Sequence, residues 1–193
     1  MTAGDRQLVR EAVAAYFGGA LETADAGIYF QNGPLVSSGL GTAFPYKVKA
    51  SAPDQFYTQG MAAGAGWGAV MTVSLGRTAI GRMAEGGPTS GWRQRKYTTR
   101  CSFEVLSYEP HLETAEAGLD NLVDAWLDLL YLDRTLGTTS ATYPTGRLIT
   151  QAGEGRAGID VSDPDEWQVL DEQRGKAAGG IAVTFECLTM VEA

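Results

Sequence analysis

Four carboxylates recur at every fourth position in the segment ETAEAGLDNLVDAWLDLLYLDRTL. Residues at i and i+4 lie on one face of an α-helix, so these side chains are expected to project in one direction. Paired carboxylates can bind metal ions or hydrolyse glycosides. On one exposed helix with no second cluster, they are more typical of a solvated or partner-facing surface. This acidic helix face consists of Glu116, Asp120, Asp124 and Asp128.

Histidine and cysteine offer little further chemistry. The chain has one histidine, His111, and two cysteines, Cys101 and Cys187, with no CxxC or HxxxH spacing around them. This pattern excludes a zinc site of Cys and His within one chain. Each cysteine lies two residues from a phenylalanine on the apolar side of a predicted strand, so we predict small buried hydrophobic residues, not nucleophiles. His111 stands at a strand-to-helix corner and is predicted to be a surface or packing residue.

Two glycine-rich segments resemble catalytic motifs without fitting them. GPTSG at 87–91 has Thr89 where the nucleophile elbow has serine, and its flanks predict a turn between strands. GMAAGAGWG at 60–68 precedes a strand, whereas phosphate-binding glycine loops follow a strand and open a helix. We therefore predict no catalytic residues, no cofactor and no metal.

Basic and aromatic residues suggest contacts with other molecules. A basic group lies on one predicted strand, and its natural complement is acidic surface on a neighbouring copy, with phosphate as the alternative. Trp92 and Trp167 fall in predicted loops, where tryptophan is a candidate for burial against a partner. The alternative is that each fixes its own loop to the domain. The basic group consists of Arg93, Arg95, Lys96 and Arg100.

Charge is divided unevenly along the 193 residues, whose formal net charge is −8. Residues 1–103 carry a net +4, and residues 104–172 carry a net −12. This division suits copies that meet front to back, because such contacts join two different patches. The alternative is that the acidic faces are simply solvated. The acidic balance argues against ordinary binding to duplex DNA.

The elements that position these residues follow from the hydrophobic periodicity. A helical stripe begins near Asp5, a second covers the acidic segment, and alternation with period two predicts strands. The fold class expected is α+β: an antiparallel β-sheet with a long β-hairpin, packed against two α-helices, with long Gly-rich loops. Helices are predicted at 5–18 and 114–136, and strands at 67–83, 93–108, 147–161 and 179–192.

One domain is predicted over residues 1–193, with a long loop insertion at about 31–66. This insertion is rich in Gly, Ala, Ser and Pro and has no sustained period. Its aromatic residues give it something to bury, which suits ordering against a partner. No apolar run approaches a membrane span, and the N-terminus lacks a signal layout, so we expect a soluble intracellular protein. The aromatic residues are Phe44, Tyr46, Phe56 and Tyr57.

The predicted elements occur in a recognisable order. They run from the helix DRQLVREAVAAYF through the strands GWGAVMTVSLGRTAIG and RQRKYTTRCSFEVLSY to the helix ETAEAGLDNLVDAWLDLLYLD and the closing strand GGIAVTFECLTMVE. In order and pattern these segments resemble the tail terminator proteins of long-tailed bacteriophages. The resemblance covers most of the chain outside residues 31–66.

The resemblance implies a structural virion protein and no enzymatic activity. Its copies would form a ring, of six subunits, that caps the tail tube and joins it to the head-side connector or stopper protein. DNA would pass through the lumen without sequence-specific contact, and no membrane would be involved. The protein would reside in the virion tail or neck, and in the host cytoplasm before assembly.

A role in a ring predicts where the charged residues and the tryptophans lie. The acidic helix face, the basic group and both tryptophans are expected near subunit boundaries or the lumen. Two alternatives stay open: another neck, connector or minor tail protein, and, more distantly, a small enzyme that uses carboxylates.

Overall fold

The structure, a computed structural model, contains in its described residues one mixed β-sheet, the two long α-helices given below and a short 3-10 helix at Val36–Ser38. The described residues are 5–24, 27–46, 56–57, 66–82, 92–108, 112–138, 147–153, 158–171 and 176–192. The helices are α1 (Asp5–Gly18) and α2 (Leu112–Leu132). The strands are β1 (Gly19–Ala24), β2 (Gly27–Asn32), β3 (Leu40–Phe44), β4 (Trp67–Arg82), β5 (Trp92–Tyr108), β6 (Arg147–Ala152), β7 (Asp160–Val161), β8 (Gln168–Asp171) and β9 (Lys176–Glu192).

The sheet is built around three long strands, in the order β1-β2-β3-β4-β5-β9-β6. β5 pairs with β9 antiparallel along its whole length, and β4 pairs with β5 antiparallel from Trp67 to Arg82. The second edge of β9 pairs in turn with β8, β7 and β6. The prediction of a wholly antiparallel sheet is wrong at one place, because β3 pairs with β4 in parallel. The fold class is therefore α+β with a mixed sheet.

Both helices pack on one face of the sheet and enclose the main core there. The fully buried Trp126 of α2 stacks on Phe17 of α1 with ring centroids 4.4 Å apart. It also meets Phe103 of β5 and Phe185 of β9 edge-on, at 6.3 and 5.4 Å. On each helix, apolar residues at i, i+3 and i+4 form one stripe that is buried against the sheet. The aromatic contacts of Trp126 thus join both helices to the central strands.

A smaller cluster covers part of the opposite face of the sheet. Phe56 and Tyr57 are each 3% exposed and pack with Phe44, Val70 and Leu106 of β3, β4 and β5. The expectation that these aromatic residues order against a partner is wrong for Phe44, Phe56 and Tyr57. They are buried within their own chain. Tyr46 is 38% exposed and lies over the guanidinium of Arg10.

Several element boundaries differ from the expectation. Residues Leu40–Phe44, inside the predicted loop insertion, form β3, while 47–55 and 58–65 lie outside the described residues. β3 is buried at all five positions, so it shows no alternation of polar and apolar residues that could reveal it. No helix or strand is predicted from the sequence where β1, β2 and β8 form. The predicted strand at 147–161 is divided into β6 and β7.

Trp67 fits between α2 and the turn before β3 because two residues that face its ring are glycines without side chains. A Cβ added to Gly118 of α2 would lie 2.6 Å from Trp67 Cε2, and one added to Gly39 would lie 2.7 Å from Trp67 Cζ3. Gly39 also has φ +100°, which side chains rarely adopt. The indole thus fastens the first half of α2 onto the sheet.

Candidate functional site

The acidic face of α2 is exposed to solvent as its spacing predicts. Glu116, Asp120, Asp124 and Asp128 are all exposed. The opposite stripe of the helix is buried against the sheet and comprises Ala115, Leu119, Leu122, Val123, Trp126 and Leu130. The first two carboxylates lie on the half of the helix that faces the segment between β7 and β8.

A cleft of about 410 Å³ opens between α2 and that segment. Glu116 and Asp120 line it from the helix, and Asp165 and Glu166 line it from the segment. The remaining lining is provided by Leu119, Pro164, Trp167 and Gly180. Four carboxylates around apolar walls make the cleft suited to a cationic group.

Hydrogen bonds to β9 hold the segment that forms this wall. The Ser162 N–H donates to the Ala182 carbonyl at 2.8 Å, and the Asp165 N–H donates to the Gly180 carbonyl at 2.7 Å. The Ala182 N–H donates in return to Ser162 Oγ at 3.0 Å. The segment therefore follows the edge of β9 as a fixed structure although it is neither helix nor strand.

Trp167 fixes the same segment from the helix side of the sheet. The side chain is half-buried and packs against the main core. A Cβ added to Gly179 would lie 3.0 Å from Trp167 Cδ2, so the indole lies directly on the β9 backbone. Trp167 lies in irregular chain as predicted, and it contacts its own domain there.

The basic group is distributed over both faces of β5, because successive residues of a strand point to opposite sides. Arg95 shares the helix-bearing face with the buried Tyr97, whereas Lys96 and Arg100 lie on the other face. Lys96 Nζ forms an ion pair with Glu186 Oε2 of β9, and Arg100 is exposed. Lys96 therefore has an acidic partner in its own chain, although a neighbouring copy was expected to supply one.

The backbone of Trp92 and Arg93 forms the start of β5. They lie opposite Glu192 and Val191 of β9, at the end of the sheet away from the cleft. The prediction that Trp92 falls in a loop is wrong, since it begins β5.

The structure brings three of the predicted site residues together. Glu116, Asp120 and Trp167 meet at the cleft, whereas Asp124 and Asp128 lie farther along α2 and the basic group lies on another part of the sheet. Sequence reasoning missed Asp165 and Glu166. The segment SDPDEW is recognisably acidic in the sequence. That it lies next to α2 depends on the tertiary fold and could not be predicted.

Both thiols are poorly suited to nucleophilic chemistry. Cys101 and Cys187 are fully buried on neighbouring strands, as predicted. Burial raises the pKa of Cys101 well above its ordinary value, and the nearby Cys187 adds to this rise. Burial likewise raises the pKa of Cys187 to about 12 against the opposing hydrogen bond of Thr99. Both groups are thus held as neutral thiols.

Neither a cluster of metal ligands nor a membrane-spanning helix occurs among the described residues. Within them, no three His, Cys, Asp or Glu side chains are arranged to hold a metal ion. His111 lies outside the described residues. None of the helices described in the structure has the length and apolar character needed to cross a membrane.

No family model matches the sequence, and no curated protein matches it. The charged surfaces of the chain are therefore the main indication of its function. These are the acidic cleft beside α2 and the basic positions of β5.

Proposed function

We propose that this protein is a tail terminator of a long-tailed bacteriophage. Six copies form a ring that caps the tail tube, stops its polymerisation and joins it to the head-side connector. The protein belongs to the virion tail or neck, and to the host cytoplasm before assembly. Its partners are its own copies, the tail tube protein and the connector or stopper protein. No membrane, cofactor or metal is required, and DNA passes through the lumen without specific contact.

The observation that carries the proposal is a division of charge along β9. The basic group of β5 lies opposite Thr184 to Val191, in the second half of the strand. On the other edge of β9, the acidic residues from Asp160 to Asp171 follow its first half, from Thr184 back to Lys176. One sheet thus carries opposite charges at its two ends.

Such polarity suits ring closure. A ring joins the front of one subunit to the back of the next, so each contact needs two different and complementary patches. β9 spans about 55 Å over its 17 residues, and its two halves meet at Thr184, which lies opposite Arg100 on one side and Asp160 on the other. Charges toward the two ends of the strand lie beyond the screening length of each other, so they act mainly between copies.

The exposed carboxylates of α2 also fit the passage of DNA. A lumen lined by negative charge repels the phosphate backbone and keeps DNA from adhering to the wall. Asp124 and Asp128 lie away from the cleft and are the residues that we assign to the lumen or to a subunit boundary.

The basic group provides the test of this proposal. Reversing charge with Arg95→Glu and Arg100→Glu removes the positive patch, so rings should fail to form at low salt. The readout is native mass spectrometry, with circular dichroism as the control for folding. Rings that persist in both low and high salt would exclude the basic group from the subunit contact.

Two other functions differ in what they predict. Another neck, connector or minor tail protein would share the ring and differ in the neighbour that it binds. The cleft favours a second candidate, an enzyme that uses carboxylates, because it opposes two acidic pairs across an apolar-walled space. That enzyme would be a monomer or dimer, and Asp120→Asn would abolish its activity without changing its assembly.

A further inference from the structure

The outer edge of the sheet beside β9 carries both acidic and exposed apolar residues, and no other described strand pairs with it. Residues 160–171, the acidic edge, contain five carboxylates and no basic residue. Val161, Val169 and Leu170 are 40%, 65% and 55% exposed within it. Among the described residues, β7 and β8 pair with β9 alone, so their outer backbone groups face away from the sheet. An edge strand of this kind is a template for pairing with another chain.

A second edge of opposite charge lies on β4. β3 pairs with β4 only as far as Thr72, so residues 73–82, the cationic edge, pair within the described chain with β5 alone. Arg6 of α1 donates to the carbonyls of Leu75 and Gly76 at 2.9 and 3.3 Å, just past the end of β3. The cationic edge carries Arg77 and Arg82 and no carboxylate.

We propose that the acidic edge of one copy pairs with the cationic edge of a second copy, extending the sheet from subunit to subunit. This inference rests on the proposed ring and names the sheet edges at its contact. The basic group of β5 lies beside the cationic edge, because Arg95 and Arg93 lie opposite Ile80 and Arg82. A single chain cannot join its own two edges, because β4, β5 and β9 lie between them. The partner must therefore be another molecule.

Charge selects this pairing over the symmetric ones. Two acidic edges would bring five carboxylates against five, and two cationic edges would bring arginine against arginine. Like charges placed opposite each other disfavour association, whereas the acidic and cationic edges attract. The contact is therefore heterologous, and a heterologous contact generates either a closed ring or an open filament.

The contact also explains the exposed apolar residues. Val161, Val169 and Leu170 would be covered by the neighbouring strand. The outer backbone groups of both edges would gain hydrogen bonds, apart from the Leu75 and Gly76 carbonyls that already accept from Arg6. Edge pairing of this kind derives its strength from the backbone and its specificity from the flanking charges. Added salt should therefore weaken it without abolishing it.

Charge exchange tests the pairing directly. One variant, Asp163→Lys with Glu166→Lys, makes the acidic edge basic; the other, Arg77→Glu with Arg82→Glu, makes the cationic edge acidic. Each alone should lower the association constant about tenfold or more in sedimentation velocity, because like charges then meet. An equimolar mixture should recover association. The matched control is Glu22→Lys with Glu113→Lys, which makes the same charge change at positions that we assign to no contact and should associate as the wild type does.

Engineered disulfides give a second test that does not depend on charge. With diamide added as the oxidant, copies with Val169→Cys mixed with copies that carry a single introduced cysteine at one of the positions 73–82 should form disulfide-linked dimers, whereas Val169→Cys alone should not. The native Cys101 and Cys187 are buried and do not compete.

The outcomes separate this inference from the proposed function. A wild-type ring whose edge variants associate normally, or whose mixed variants do not recover, overturns the edge pairing and leaves the ring. An equal loss of association in the control variant overturns the assignment of the subunit contact to these two edges. A wild-type protein that is monomeric at every concentration and salt overturns both.

Discussion

Trp67 is the residue on which the attachment of α2 to the sheet depends most closely. Its indole occupies space left by Gly118 on the helix and Gly39 before β3. An added methyl group at Gly118 would have no room, because the ring is 7% exposed and surrounded by core residues. Packed interiors tolerate such additions poorly.

Gly118→Ala should therefore destabilise the protein although alanine favours helices. The gain in helix propensity is about 1 kcal/mol, and overpacking costs about 1–3 kcal/mol. We expect a net loss in the free energy of unfolding, measured by urea denaturation. Gly76→Ala is the control, since its Cβ would meet Thr98 at an ordinary 3.7 Å. A Gly118→Ala protein more stable than the wild type would show that Trp67 moves freely.

Asp133 closes the C-terminal turn of α2 through three hydrogen bonds. Its Oδ1 accepts from the Thr135 N–H and Oγ1–H at 2.9 and 2.6 Å, and its Oδ2 accepts from the Gly137 N–H at 3.0 Å. Burial opposes ionisation, but these bonds outweigh it and lower the pKa of the carboxyl group. The charged form is thus the one that the fold stabilises.

Asp133→Asn should lower the free energy of unfolding by about 1–2 kcal/mol at pH 7, because an amide nitrogen cannot accept from Gly137. The difference from wild type is fully present above about pH 3.9, the unfolded pKa, and disappears as the pH falls through the lower folded pKa. Urea denaturation at neutral and acid pH measures it. Asp128→Asn, at an exposed position of the same helix, should have little effect; a difference that grew in acid would contradict the assignment.

At the scale of elements, Phe56 and Tyr57 cover the face of the sheet opposite α1 and α2. The Tyr57 hydroxyl donates to Glu104 Oε1 at 2.7 Å, and Thr42 Oγ1 donates to the Phe56 carbonyl at 3.2 Å. The two residues therefore attach part of a Gly-rich segment to β3, β4 and β5.

Phe56→Ala should cost about 3 kcal/mol of stability through the cavity it leaves, and Tyr57→Phe about 1 kcal/mol through one lost hydrogen bond. Thermal denaturation compares both with Leu132→Ala, whose side chain is 78% exposed and should matter little. If Phe56→Ala behaved like Leu132→Ala, the segment would not be docked on the sheet.

Periodicity accounts for which elements the sequence predicts. α1, α2, β4, β5 and β9 are long and half-buried, so their apolar residues recur with a clear period. β3 is buried on both sides, and β7 and β8 are short and exposed, so they have no such period. The connection between β4 and β5, residues 83–91, lies outside the described residues.

For a related reason, the sequence predicts only two of the four carboxylates that line the cleft. Spacing on one helix brings Glu116 and Asp120 together, because i and i+4 positions are neighbours. Asp165 and Glu166 join them through β9, which is distant in sequence from α2. Only the register of β9 against its partners determines that meeting.

At the scale of the whole molecule, the division of charge along β9 is the property that links structure to assembly. Contacts between exposed charges are screened over about 10 Å at 0.1 M salt and about 3 Å at 1 M. Association should therefore weaken as salt rises from 0.05 to 1 M, measured by sedimentation velocity. Association that strengthened with salt would indicate an apolar contact in place of the charged one.

The most direct test of the central claim is the number of copies in the assembled protein. Native mass spectrometry of the wild-type chain at low salt, with negative-stain electron microscopy, should show a closed ring of one defined size, expected to be six. A monomer across the accessible range of concentration and salt would contradict the account.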